Sequence, residues 1–193
     1  SMMGLLKKGS KVWFSKSDNP KRKLKYTLQI IESNKKKIGI NTLLTNKIVE
    51  EGLNLKKINK LNKFINIKRE VKFTKDTRFD FLLSNEVEKC YLEVKNVTLL
   101  RDKNIAEFPD SITTRGTKHL NELIKAKKKG YHAYILYLIQ MEGCNEFKIA
   151  EDIDKEYKFS FDKALKCGVK ILCYNCKLTN EEIILNNQII YEK

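Results

Sequence analysis

The sequence has no hydrophobic run long enough to cross a membrane, although 41% of its 193 residues are hydrophobic. A membrane-spanning helix needs about 20 consecutive apolar residues, and the first residues also lack the basic and apolar regions of a signal peptide. These absences exclude a membrane-embedded or secreted protein from our expectations. We expect a soluble, cytoplasmic protein with enough apolar residues for one large or two small domains.

The sequence also lacks the ligand pairs of a structural zinc site. Cys173 and Cys176 have the spacing of a zinc knuckle or a redox pair, but no second cysteine pair and no Cys–His pair stands at the required distance. The five cysteines therefore do not form a disulfide framework. Reduced thiols in a reducing cytosol are the expected state.

Acidic residues are scarce in the first 75 residues, which hold 20 of the 39 basic residues but only five of the 24 acids. The remaining 19 basic and 19 acidic residues balance, so the formal net charge of +15 lies in the first part. A general bias toward lysine does not explain a neutral second part. Such an asymmetry is typical of a protein that binds the phosphate backbone of a nucleic acid.

Aromatic and basic residues stand side by side in the segment 11–26 of this basic part. Aromatic side chains that stack on bases, beside cations that attract the backbone, are typical of single-strand binding. In the alternative interpretation, Val12, Trp13 and Phe14 fill a small barrel and the basic side chains are only solvated. We predict that five residues here bind nucleic acid, namely Trp13, Lys16, Lys21, Arg22 and Lys23.

The candidate catalytic motif consists of two predicted strands, Arg78–Leu83 and Cys90–Lys95, with a polar turn between them. Because side chains alternate along a strand, Glu93 and Lys95 share one face of the sheet. If the two strands pair, Asp80 converges on Glu93. Two carboxylates in a shared site repel each other and raise each other's pKa, and a divalent cation removes that repulsion.

An aspartate, a hairpin and then Glu-x-Lys resemble the catalytic core of the PD-(D/E)xK nucleases. The resemblance implies that Asp80 and Glu93 hold Mg²⁺ or Mn²⁺, which take hard oxygen ligands, and that Lys95 acts on the attacking water and the developing charge. Glu70 is a candidate third carboxylate, although its basic neighbours would also satisfy it on the surface. An exposed ladder of alternating charges is the alternative interpretation of the whole motif.

A helix with an apolar stripe is predicted from about residue 115, and Gly130 is placed to close it. Arg115, Lys118 and His119 fall near the start of this helix, where the amino-terminal end favours anions. We predict that these three residues contact a nucleic-acid phosphate. For His119 the alternative is a hydrogen-bonded packing role.

The remaining patterns predict a mixed α/β sheet. Residues 41–63 have a helical rhythm, whereas residues 131–140 are almost continuously apolar, as in a central strand covered on both faces. Residues 101–109 are predicted to form a loop. A helix over 157–167 precedes a last buried strand over 169–174, and this order implies parallel pairing of strands.

Five motifs span nearly the whole chain, and in order they are Lys11–Lys23, Arg69–Lys72, Arg78–Phe81, Glu93–Leu99 and Phe108–Leu120. Together they resemble the sugar fermentation stimulation (SfsA) family. The resemblance implies an OB-like, nucleic-acid-binding amino-terminal domain, followed by a restriction-endonuclease-like α/β domain with a mixed sheet. It also implies a DNA-binding protein linked to sugar (maltose) metabolism.

We accordingly predict three parts of the chain. Residues 1–40 form a basic OB-like β segment, residues 41–66 a helical connector and residues 67–193 the nuclease-like α/β domain. Members of the family carry roughly forty further residues before the point where this sequence starts, and an OB barrel needs about five strands. We therefore expect the barrel to be incomplete.

The predicted function is that of a DNA-binding protein whose metal site hydrolyses phosphodiester bonds with Mg²⁺ or Mn²⁺. One alternative is a transcriptional regulator that keeps the nuclease fold and binds DNA without cutting it. Another is an interaction module whose cationic surface binds an acidic protein. The expected partners are DNA, RNA or single strands, with a homodimer as one possible assembly, and the expected location is the cytoplasm, at the nucleoid.

Overall fold

The structure is a computed structural model that describes residue 5, residues 7–102 and residues 104–192. Within those residues the strands form three sheets, against which three α-helices pack. The strands are β1 (Val12–Lys16), β2 (Tyr26–Ser33), β3 (Lys36–Gly39), β4 (Asn66–Thr74), β5 (Thr77–Ser84), β6 (Lys89–Val97), β7 (Leu99–Leu100), β8 (Ile105–Phe108), β9 (His132–Ile139), β10 (Glu146–Ile149), β11 (Lys170–Leu178), β12 (Ile183–Gln188) and β13 (Ile190–Tyr191). The helices are α1 (Thr45–Asn54), α2 (Thr114–Lys128) and α3 (Lys155–Lys166), with short 3-10 turns at Thr42–Leu44 and Asn59–Leu61.

The amino-terminal sheet contains β1, β2 and β3 in antiparallel order. Between β2 and β3, Asn34 and Lys35 have φ angles of 51° and 62°, the two consecutive positive values of a type I′ hairpin turn. Ile30 and Ile38 of this sheet are buried in the two cores of the main sheet. The amino-terminal sheet is therefore packed onto the rest of the molecule.

The main sheet has the order β12–β11–β9–β6–β5–β4. β6, β9 and β11 are parallel to one another, whereas β4, β5 and β12 pair in antiparallel fashion. β9 lies inside the sheet, and every residue from Ala133 to Ile139 is buried. The apolar run over residues 131–140 predicts this buried central strand. The predicted fold class, a mixed α/β sheet, is confirmed.

A separate core covers each face of the main sheet. α2 and α3 pack on one face, where Leu120 and Phe161 are buried with Tyr137. α1 packs on the other face, where Val49 is buried with Leu136. Fully burying one such apolar side chain contributes roughly 1.5–3 kcal/mol. The two cores thus fix β6 and β9 on both faces, and β6 carries the site residues Glu93 and Lys95.

α2 has the boundaries that its capping residues specify. The hydroxyl of Thr113 accepts a hydrogen bond from Gly116 N at 3.0 Å, which satisfies a free amide of the first turn. Gly130 follows the last turn with a φ angle of 87°, in the left-handed region that favours glycine. Among the described residues, no helix is long and apolar enough to span a membrane.

One prediction about the later strands is wrong. Residues 101–109 contain the strand β8, which sequence patterns missed because it buries the charged Glu107. Arg101 offsets that carboxylate, with Nε 2.6 Å from Glu107 Oε2. The buried strand predicted over 169–174 is β11, which extends to Leu178, and the mostly exposed strands β12 and β13 follow it. β12 is an edge strand with several exposed polar residues, so its apolar signal is weak.

The helical rhythm over 41–63 yields a shorter helix than predicted. α1 ends at Asn54, and shortly after it Lys56 takes a φ angle of 54°, which no α-helix accommodates. Cys173 and Cys176 lie on opposite faces of β11, each in a different core, because they are an odd number of residues apart. They therefore cannot bind one metal ion together. Burial raises the pKa of the Cys176 thiol to about 12.

Candidate active site

The candidate active site lies where β5 and β6 separate. Their antiparallel ladder ends with Phe81 opposite Leu92. Asp80 is the preceding residue on β5, and its Oδ2 accepts a hydrogen bond from Val94 N at 2.7 Å. The carboxylate thus takes the place of a backbone carbonyl as the partner of β6. A charged side chain is in this way held between two strands of the main sheet.

The surroundings of Asp80 make its ionised form unfavourable. Burial of the carboxyl group, together with the charge of Glu93, raises the pKa of Asp80 to about 6. Hydrogen bonds from Val94 N and from Asn46 Nδ2, the latter at 2.8 Å, and the charge of Lys95 offset part of this effect. Glu93 is thus near enough to Asp80 for its charge to disfavour ionisation of Asp80.

Glu93 is buried at the same place on β6, with its side chain 3% exposed. Its Oε1 accepts hydrogen bonds from Lys95 Nζ at 2.7 Å and from His119 Nδ1. Its Oε2 is buried and has no hydrogen-bond partner among the described residues. Burial opposes ionisation, but Lys95 and His119 outweigh it, so the pKa of Glu93 is lowered. One oxygen of a charged carboxylate therefore remains unsatisfied inside the protein.

Asp80 opens into two cavities, of about 540 Å³ and about 340 Å³. Asp80 and Glu70 line both of them, so the two cavities meet at these carboxylates. The larger cavity is strongly cationic, whereas the smaller one is lined mainly by neutral side chains. The cations of the larger cavity are Lys72, Lys75, Arg78, Arg115 and Lys118. The neutral residues of the smaller one are Thr42, Leu43, Thr45, Asn46, Val94 and Asn96.

Glu70 lies on β4, in the neighbourhood predicted for a third carboxylate. Its φ angle of 52° is in the left-handed region, which is strained for a residue with a side chain. Its side chain is 53% exposed, and its Oε2 lies 3.9 Å from Arg78 Nη1. The adjacent Arg69 pairs with Glu50 instead. Glu70 therefore faces the cavities of Asp80 without being held by its basic neighbours on the strand.

The structure brings Arg115, Lys118 and His119 together at the wall of the larger cavity. Lys118 Nζ donates a hydrogen bond to the main-chain oxygen of Asp76 at 2.9 Å. Arg115 Nε donates to His119 Nε2 at 3.5 Å, and the opposite ring nitrogen of His119 contacts Glu93. His119 thus links the cationic start of α2 to the buried carboxylate, and it is largely buried itself.

The predicted nucleic-acid-binding residues of the first part lie elsewhere. Trp13 is half-buried against the core, and Lys11 Nζ and Lys37 Nζ lie 5.1 Å and 5.5 Å from its ring centroid. Phe14 beside it is exposed rather than inside a barrel. The four basic residues, Lys16, Lys21, Arg22 and Lys23, are exposed. Neither they nor Trp13 line the two cavities of Asp80.

Sequence reasoning missed two residues of this site. Asn46 contacts Asp80 from α1, and no local pattern connects residues so far apart in sequence. Arg78 stands two positions before Asp80 on one strand, so the alternation of side chains offered a signal for it. Among the described residues, no three or more His, Cys, Asp or Glu side chains are grouped so that they could hold a metal. A cation here would depend on two carboxylates, main-chain oxygen and water.

The pKa of Asp80 predicts how stability depends on pH without metal. The carboxyl group titrates near pH 6 in the folded protein instead of its ordinary 3.8, so the folded state binds more protons between these values. The free energy of unfolding should consequently fall as pH rises through this range. Asp80→Asn removes this titration. The free energy of unfolding of the variant minus that of the wild type should therefore increase with pH in urea unfolding experiments. A difference that is independent of pH would contradict the placement of Asp80.

The fold and the site define a class of protein in which an OB-type β sheet is joined to a restriction-endonuclease-like α/β domain. The chain belongs to the SfsA family. The model of the sugar fermentation stimulation protein RE domain matches residues 43–182, and the model of the SfsA N-terminal OB domain matches residues 1–40. The family resemblance of the sequence motifs is confirmed. The part boundaries at residues 40 and 66 remain predictions.

Relatives with the same family name match nearly the whole chain. A sugar fermentation stimulation protein homolog of Pelagibacter ubique is 51% identical over 189 residues, which are 98% of this chain and 82% of the relative. A homolog of Bartonella henselae is 42% identical over 193 residues, 100% of this chain and 82% of the relative. The solved structure of Pyrococcus furiosus SfsA in complex with Ca²⁺ is similar with a TM-score of 0.85 and 26% identity, over 94% of this chain and 78% of that one.

Proposed function

We propose that this protein is a DNA-binding nuclease, which hydrolyses phosphodiester bonds at Asp80, Glu93 and Lys95 with a divalent cation. The observation that carries the proposal is the buried Oε2 of Glu93, which has no hydrogen-bond partner among the described residues. Leaving a buried acceptor unsatisfied costs roughly 1–3 kcal/mol, and more for a charged group. A cation beside it would remove this cost and also the repulsion between Glu93 and Asp80.

Asp80 and Glu93 would hold the cation, with the main-chain oxygen of Val94 as a further ligand. Carboxylate, carbonyl and water oxygens are the ligands that Mg²⁺ and Mn²⁺ prefer. The Ca²⁺ of the Pyrococcus furiosus SfsA structure supports a divalent site, because Ca²⁺ also takes oxygen ligands. When bound, such an ion polarises a phosphoryl oxygen and lowers the pKa of water.

The cationic side chains around these carboxylates would act on the substrate. Lys95 is held by Glu93, and its side chain is only 12% exposed, so its charge is fixed at the site. It would orient the attacking water and offset the negative charge that develops at phosphorus. Arg115 and Lys118 would bind a neighbouring phosphate at the start of α2.

We propose DNA as the partner and the regulation of sugar (maltose) metabolism as the pathway, the latter because of the family to which the chain belongs. The formal net charge of +15 supports a polyanionic partner. Each phosphate that a lysine or arginine neutralises releases a counterion, so affinity should fall steeply with salt. A salt-independent affinity would argue against binding of the backbone.

A cleavage assay of the wild-type protein tests the nuclease proposal. The protein is incubated with single- and double-stranded DNA and RNA, in Mg²⁺, in Mn²⁺ or in a chelator. We expect cleavage of at least one polymer with Mg²⁺ or Mn²⁺ and none with the chelator. The same ions should raise the melting temperature, because a ligand that binds only the folded state stabilises it. If no polymer is cut with either ion, the nuclease proposal is wrong.

A regulator that binds DNA without cutting it is the second candidate. It is favoured by the donors that already occupy both oxygens of Asp80, Asn46 Nδ2 and Val94 N. The described residues also offer no group of three metal-ligating side chains. For a regulator, wild-type protein and Asp80→Asn would bind DNA equally, and neither would cleave it.

A further inference from the structure

Two exposed aromatic side chains, Phe14 and Tyr26, lie together on one face of the amino-terminal sheet and are named here the aromatic platform. Each is 61% exposed, and their ring centroids are 6.2 Å apart with the planes inclined at 58°. Leu28 stands opposite Phe14 in the β1–β2 ladder and is also exposed. Clustered apolar groups exposed to water in this way mark a binding surface.

The surroundings of the aromatic platform are cationic. Lys16 stands directly opposite Tyr26 in the ladder, and the loop that joins β1 to β2 carries further exposed basic side chains. Residues 11–40 contain nine basic residues and two acids, and none of the basic residues of β1 or this loop pairs with an acid in the described part of the chain. The partner that fits aromatic faces among unpaired cations is a polyanion with accessible flat rings. A nucleic acid with unpaired bases meets both requirements.

A cleft of about 270 Å³ lies between the aromatic platform and the turn Thr42–Leu44. Phe14, Trp13, Ile30 and Leu44 line it with apolar surface, and Glu181 and Glu182 line it with acidic groups. Leu44 ends the turn Thr42–Leu44, whose other residues line the smaller cavity of Asp80. Residues of this turn thus line both the cleft beside Phe14 and the smaller cavity of Asp80.

We propose that the aromatic platform binds single-stranded nucleic acid by stacking bases on Phe14 and Tyr26, and that the strand then passes the turn Thr42–Leu44 to reach Asp80. Stacking is assigned to Phe14 rather than to Trp13, whose ring packs on the core between two lysines. The delivery of the strand to Asp80 rests on the proposed nuclease function. The stacking itself does not depend on it.

Fluorescence anisotropy in a chelator, at fixed salt, tests the aromatic platform without cleavage. The probes are labelled oligothymidylate, oligouridylate and a DNA duplex of equal length. Phe14→Ala and Tyr26→Ala should each weaken single-strand binding about tenfold, since each variant loses the stacking of one base on its ring. Duplex binding should change less than twofold, because paired bases do not offer their faces. Phe159→Ala is the control, since Phe159 is 70% exposed on α3.

Three results would overturn the aromatic platform. The first is a Phe14→Ala/Tyr26→Ala double variant that binds single strands as tightly as the wild type. The second is a loss of affinity for the duplex that equals the loss for single strands. The third is a molar mass of the free double variant in light scattering that differs from the mass of the wild type, which would indicate an interface between copies. Phe14→Tyr and Tyr26→Phe keep an aromatic ring at each position and should bind single strands like the wild type. Circular dichroism checks that each variant folds. Because the chelator prevents cleavage, this experiment tests binding alone. The stacking proposal can therefore be correct even if the nuclease assay finds no cleavage, and the nuclease proposal can be correct even if the aromatic variants bind normally.

Discussion

Replacing Asp80 with asparagine should abolish metal-dependent cleavage and leave the fold intact. The substitution removes one of two carboxylates proposed to hold the cation. Losing a metal ion's contribution of several kcal/mol to the transition state corresponds to about a thousandfold or more in rate. The fold should not suffer, because the wild-type carboxylate is repelled by Glu93 and buried at a cost that its raised pKa records. Single-turnover cleavage and thermal unfolding measure the two effects.

The matched control for Asp80→Asn is Asp162→Asn, which makes the same charge change on α3. Asp162 is 42% exposed, and its contact is a surface pair with Lys158. The control should cleave like the wild type, and it should keep the rise of melting temperature that divalent ions cause, whereas Asp80→Asn should lose that rise. Cleavage by Asp80→Asn at the wild-type rate would place the activity elsewhere, in this chain or in a contaminant.

Replacing Glu93 with alanine should destabilise the metal-free protein by about 3–5 kcal/mol, the usual cost of removing one partner from a buried ion pair. The side chains that lose their partner are buried, with Lys95 12% and His119 7% exposed. Both would have to remain in the interior without the carboxylate that binds them. Urea unfolding at neutral pH in a chelator measures the free energy.

Glu50→Ala is the comparison for Glu93→Ala. Glu50 pairs with Arg69 at 3.1 Å, but both side chains are substantially exposed. A surface pair contributes only about 0–1 kcal/mol, so this variant should stay within that range of the wild type. If Glu93→Ala were equally harmless, the account of Glu93 as the buried partner of Lys95 and His119 would be wrong.

The elements that fix the site were predictable because their signals are local. The alternation of β6 placed Glu93 and Lys95 on one face, and the apolar stripe of α2 with Gly130 at its end placed Arg115 near the beginning of a helix. The apolar run of β9 predicted a buried central strand. In each case the residues that decide the conformation lie within one element, so the sequence contains the whole signal.

Other features depend on contacts between distant residues, which no local pattern carries. The hydrogen bond of Asp80 to Val94 N replaces a ladder bond, and it requires the end of the β5–β6 pairing. The strand β8 could not be predicted from an apolar pattern, since its buried Glu107 depends on the charges of Arg101 and Lys148. Trp13 is half-buried against the core whereas Phe14 is exposed, and which face of β1 is covered depends on the rest of the molecule.

The central claim is that Asp80 and Glu93 hold one divalent cation between them. Anomalous diffraction from a crystal soaked in Mn²⁺ tests it most directly, because the scattering locates the ion independently of any activity. The account predicts a single strong anomalous peak within coordination distance of Asp80 and Glu93 Oε2. A crystal that binds Mn²⁺ only elsewhere, with both carboxylates left to solvent and protein donors, would contradict it.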